Sequence, residues 1–127
     1  MGEIHTVVDQ TNDLTTNTAY GPISIDDIIA AIKAYLTGET TGKVLWNFTQ
    51  ADGAAIVSDD LIHLQDVVRQ IAVTGKRRKV AIVVSRDLGF GLSRMAESRA
   101  EIADINVDYY VTRRLEEALA WLGVPMG

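Results

Sequence analysis

There is no cysteine anywhere in the 127 residues. That excludes disulfides, thiolate metal sites and cysteine nucleophiles together. Histidine is scarce too. His5 and His63 lie in unrelated segments with no H-x-x-x-H partner, and the plainer reading makes each a half-exposed structural residue rather than a ligand or base. No apolar run approaches the ~20 residues a membrane-spanning helix needs, so no membrane span is expected. The opening residues, MGEIHTVVDQ, have neither the cationic flank nor the long apolar core of a signal peptide, and a cytoplasmic protein is the expectation. Positive charge is also in deficit: 12 Lys and Arg stand against 17 Asp and Glu, a net charge of −5. That balance argues against a nucleic-acid partner. A Walker loop, a G-x-S-x-G elbow and a metal-spaced cluster are all missing. No catalytic residue, metal or cofactor is therefore assigned, and the expectation is a protein that is not an enzyme.

What is present reads as one soluble α/β domain over residues 1–127. At 47% hydrophobic and 23% charged the composition is ordinary for a globular chain, and the length allows roughly two-thirds of the unfolded surface to be buried. The most informative stretch is Lys79–Glu97, KVAIVVSRDLGFGLSRMAE. Val80–Val84 is an unbroken apolar run with three β-branched valines, the pattern of a strand buried on both faces. Ser85-Arg86-Asp87 ends it, and Leu88, Leu92, Met95 and Ala96 then keep one face of a helix. Strand, short polar turn, helix is half of a βαβ unit. It places helix-start N–H groups at the carboxyl end of a strand, where open α/β sheets usually keep their sites.

Around that unit the other elements fall into place. Ile4–Asp9 and Leu14–Tyr20, separated by Thr-Asn-Asp, predict a β-hairpin whose second strand lies at or near an edge. Gly21-Pro22 ends the hairpin. Ser24, with Asp27 three residues on, predicts a capping box. It opens a helix with Ile25, Ile28, Ile29, Ile32, Tyr35 and Leu36 on one face. Lys43–Phe48 is the third strand, and Thr49–Val57 reads as a loop. Ser58 caps a second helix that buries Leu61, Leu64, Val68 and Ile71. Lys76-Arg77-Arg78-Lys79 reads as a solvated loop before the buried strand. Asn106–Val111 is the fifth strand. A last helix over Leu115–Leu122 aligns Leu115, Ala118, Leu119 and Leu122, and Gly123 with Pro125 stops it. The expected fold is a five-stranded mixed sheet with a leading hairpin and four helices.

That ordered set resembles the STAS domain family, and more closely its SpoIIAA-like subgroup, whose fold is related to the CRAL-TRIO lipid-carrier domain. The residues that carry the likeness are Gly21, Ile23, Ile28 and Ile32, then Val44–Phe48, Val80–Ser85, Leu88–Met95 and Leu115–Leu122. The resemblance spans nearly the whole chain. It implies a non-catalytic regulator that docks a protein partner, with phosphorylation of a serine in a D-S-S-G-like motif as the switch. The matching loop here reads TQADGAAIVSDDL. Ser58 is its candidate phosphorylation site, and the neighbouring Asp59 and Asp60 would repel a phosphate placed there.

The candidate recognition surface is the carboxyl rim of the central strands: Asn47, Thr49, Asp52, Ser85, Arg86 and Asp87, with Gly89 and Gly91 in the first turn of the following helix. Those glycines permit either a ligand approaching the helix start or close packing on the sheet, and Arg86 is either an anion holder or a solvated loop residue. Trp46, Phe48, Tyr109 and Tyr110 could line an apolar pocket, although aromatics at 6% of the chain can all be absorbed by packing. Two functions are expected. One is a protein-interaction module. The alternative is a carrier or sensor of a small apolar, lipid-like ligand. A homodimer is compatible with either.

Overall fold

Asp13 stands at φ 53°, in the left-handed region that short Asn and Asp side chains tolerate better than most residues do. There the chain reverses between β1 (Glu3–Asp9) and β2 (Leu14–Pro22). Asn12 completes the turn by donating its Nδ2–H to Asp9 Oδ2 (2.7 Å) and its backbone N–H to Asp9 Oδ1 (3.3 Å). The computed structural model describes residues 2–37, 41–52, 78–84 and 107–124. Beyond the hairpin these hold α1 (Ile25–Thr37), β3 (Lys43–Asp52), β4 (Arg78–Val84), β5 (Val107–Thr112) and α2 (Leu115–Leu122). The helices expected from Ser58 and from Leu88 lie outside the described residues, so two of the four expected helices are seen.

The five strands form one mixed sheet in the order β1-β2-β3-β4-β5. β1 pairs antiparallel with β2, and β2 to β5 are all parallel. The order never reverses among these strands, so they form no switch-point crevice of the doubly wound kind. The middle of the sheet is β3 rather than β4. β4 is still an interior strand, and its apolar run serves two cores. Ile82 and Val84 face Ile28, Ile29 and Ile32 of α1, together with Ala19, Val44 and Trp46. Ala81 and Val83 face Ala118 and Leu122 of α2, together with Leu14 and Leu45. Each large apolar side chain among them contributes on the order of 1.5–3 kcal/mol when fully buried.

The helix ends obey the sequence signals. Ser24 N–H donates to Asp27 Oδ2 (2.9 Å) and Asp27 N–H to Ser24 Oγ (3.3 Å), the reciprocal pair of a capping box. Gly123, at φ 74°, ends α2, with its N–H on Ala120 O and the Val124 N–H on Leu119 O. Leu115 departs from the expected apolar face and is exposed, because it lies in the first turn, ahead of Ala118 and Leu122, which meet the sheet.

Three boundaries also differ. β2 runs through Gly21-Pro22 and β3 through Thr49–Asp52, since these two tails pair with each other, Gly21 opposite Ala51 and Pro22 opposite Asp52. The residues assigned to the start of a loop are therefore strand. Likewise Arg78 and Lys79 belong to β4, opposite Val107 and Asp108. Arg78 is buried, with its Nε–H on Tyr35 Oη at 3.1 Å and its guanidinium 5.9 Å from the Tyr35 ring centre. Arg78 is thus structural, while Lys79 beside it is exposed.

Candidate functional site: the carboxyl rim

β3 reaches the rim through a kink. Thr18 faces Asn47 and Tyr20 faces Gln50, so Phe48 and Thr49 together oppose the single residue Ala19. This is a β-bulge, a device that bends a strand and re-aims the residues beyond it. Asn47 supports it. Its Oδ1 accepts the Thr49 N–H at 3.0 Å and the Thr49 hydroxyl at 2.7 Å, and so pairs an amide at the point where the ladder breaks register. Beyond the bulge β3 pairs with β2 as far as Asp52, whose carbonyl accepts the Ile23 N–H at 3.0 Å. The chain from Ile23 passes directly into the Ser24–Asp27 box. Gly2 packs against this corner closely enough that a Cβ would sit 2.2 Å from Pro22 O.

At the other end of the rim, the buried Thr112 ties β5 to α2. Its hydroxyl donates to Glu117 Oε2 (2.7 Å) and accepts the Arg114 N–H (3.2 Å). Arg114 Nε–H in turn donates to Glu116 Oε1 at 2.9 Å. The carboxyl of Glu116 titrates below its ordinary value, first because its own backbone N–H in the opening turn bonds to it and then because Arg114 does. The described rim carries the carboxylates of Asp26, Asp27, Asp52, Glu116 and Glu117 against the guanidiniums of Arg113 and Arg114, an acidic balance.

Of the residues expected at the site, Asp52 is at the rim and exposed. Asn47 lies level with Val83 and Thr112, and Thr49 lies one residue past the Phe48–Val84 pair. Both belong to β3, half-buried and bonded to each other, where they shape the strand. Val84, the last described residue of β4, pairs with Phe48. Ser58, Ser85, Arg86, Asp87, Gly89 and Gly91 lie outside the described residues.

The aromatics offered for a pocket are taken up in packing where they are described. Trp46 stacks on Phe48 with ring centres 5.7 Å apart and planes within 8°. Tyr110 stacks on Trp121 at 5.4 Å, with Lys79 Nζ 5.2 Å above the indole. The side chain of Tyr109 lies outside the described part of the chain. Among the described residues no three His, Asp or Glu side chains gather as a metal set, and no helix is long and apolar enough to cross a membrane.

The opposite rim holds what sequence reasoning missed. Tyr35 Oη accepts from Arg78 and donates to the Thr41 carbonyl. The Thr41 and Thr15 hydroxyls meet at 2.8 Å, and Thr41 also donates to Lys43 O at 2.7 Å. Asp13 Oδ2 accepts the Gly42 N–H at 3.0 Å. Buried polar groups are stable only when paired in this way. The one sequence signal was Tyr35 on the apolar face of a helix, which requires a hydroxyl partner when buried.

No family model and no curated protein matches the chain. Four chains of known structure do match. One is an uncharacterized protein of the DUF3478 family with a SpoIIAA-like fold, from Shewanella loihica PV-4, at 17% identity and a TM-score of 0.58, covering 96% of this chain and 95% of that one. At that identity the likeness establishes architecture alone. The chain has the SpoIIAA-like α/β fold that its ordered sequence elements resemble.

Proposed function

We propose that this STAS-type domain is a non-catalytic regulatory or protein-interaction module that docks a protein partner through its carboxyl rim. The observation that carries the reading is the bulge at Asn47–Gln50. An irregularity held by two side-chain hydrogen bonds shapes the end of β3 and delivers Asp52 to an exposed corner, and bulges concentrate where a sheet must re-aim a side chain. The opposite rim is occupied by its own polar network. The acidic balance of the described rim favours a partner with a basic face.

The test is capture of a partner from the protein's own host, using the intact chain as bait. Asp52→Lys at the exposed corner, with Arg86→Glu and Asp87→Lys in the polar turn that the sequence reading places after β4, are expected to leave the fold intact and to weaken capture, because surface charges set association more than stability. Capture that is indifferent to all three reversals would remove the rim from the function. Saturable uptake of a fluorescent fatty acid, unaffected by the reversals, would instead favour the lipid-carrier alternative.

A further inference from the structure

Val7 is 64% exposed and Val8 46%. Neighbours on a strand point to opposite faces, so the middle of β1 is open on both sides. Its outer edge is open as well: among the described strands β1 pairs with β2 alone. Exposed edges are normally guarded by lysine, proline or a bulge. EIHTVVD has none of these, its carboxylates Glu3 and Asp9 stand only at its two ends, and its register against β2 is regular from Glu3 opposite Tyr20 to Asp9 opposite Leu14. Among the described residues α2 packs over β3, β4 and β5, and on the same side of the hairpin His5 and Val7 are exposed.

An edge of this kind accepts another strand, and charge selects which. Two copies of β1 paired antiparallel about Thr6 would set Glu3 against Asp9 of the second copy at both ends, and like charges directly opposite are unfavourable. Pairing about Val7 sets His5 against Asp9 of the second copy, twice, with Val7 on Val7 at the two-fold axis. Asn12 holds the Asp9 carboxyl below its ordinary value by hydrogen bonding, and His5 uses only Nε2 on Glu3 (2.7 Å), which leaves Nδ1 for the second carboxylate. We infer that β1 is a self-association edge, joining two copies of the chain antiparallel about Val7 into one continuous sheet. The contact is small, and interfaces below about 1,200 Å² go with transient association, so the dimer is weak and concentration-dependent.

Sedimentation velocity of the full chain over a concentration series is expected to show a monomer–dimer equilibrium. His5→Glu should weaken it by about tenfold, since two favourable pairs become two repulsive ones, and His5→Lys should preserve it. The absence of native cysteine permits a second readout. Under mild oxidation Val7→Cys should cross-link to its symmetry mate. Thr6→Cys should not, because its mate is diagonal and beyond the ~7 Å Cα limit for a disulfide. A chain that stays monomeric throughout would overturn the inference, as would a dimer indifferent to His5→Glu. So would equal cross-linking of both cysteine variants, which signals random collision, or cross-linking of Thr6→Cys alone, which places the axis where the charges forbid it.

Discussion

Asn47 and Thr49 act as a pair: one carboxamide oxygen accepts both the amide and the hydroxyl of the residue two places on. The pair holds the bulge that lets β3 pair with β2 on either side of a register break. Asn47→Ala is expected to cost about 1–2 kcal/mol, because it leaves two donors in a half-buried position without their acceptor. Asn47→Asp, which keeps an acceptor, should cost less. Urea denaturation of the two variants checks the order.

Ile82 is 8% exposed and faces α1 from an interior strand. Ile82→Asp would bury an unpaired carboxylate there and is expected to abolish cooperative folding. A two-state melt near the wild-type midpoint would contradict the assignment of β4 to the core.

Gly42 donates to Asp13 Oδ2, and a Cβ at position 42 would lie 2.6 Å from that oxygen. Gly42→Ala must therefore push the carboxylate off the amide. Loss of that bond should cost roughly 1 kcal/mol, visible as a lower urea midpoint with an unchanged slope. Asp13→Ala should cost a similar amount and, combined with Gly42→Ala, should not double it, because both remove one bond.

Tyr35 Oη bridges Arg78 and the Thr41 carbonyl. Tyr35→Phe removes both bonds with little change of volume and should destabilise by about 1–2 kcal/mol. Arg78→Ala should be worse than a typical surface arginine change, because its stem and guanidinium are buried against the tyrosine.

Asp9 is held below its ordinary value first by the Asn12 side chain and then by the Asn12 amide. A carboxyl depressed by folding stabilises the native state above its unfolded value, and that contribution is lost as pH falls through the depressed folded one. The hairpin should therefore loosen only in acid, below the ordinary aspartate range. Asn12→Ala should move the Asp9 midpoint upward in an NMR titration. An unmoved midpoint would show that the Asn12 side chain does not set it.

Periodicity and turn chemistry determined much of this protein without a structure. The Thr-Asn-Asp turn, the Ser24–Asp27 box, the doubly buried valine run and Gly123 each depend on neighbours a few residues away, and local sequence encodes such interactions directly. What the sequence alone left open depended on distant partners. Nothing near Thr49 announces a strand there, because its place in β3 results from pairing with a β2 tail some thirty residues earlier, past a bulge that Asn47 stabilises. Arg78 reads as loop charge until Tyr35, 43 residues away, lies across it. The same distinction applies to the candidate site. Asp52 stands exposed at the end of β3, while Thr49, which reads as loop, is strand, with its N–H taken by the Asn47 side chain. Sequence patterning set which faces turn inward, and tertiary pairing decided where the strands end.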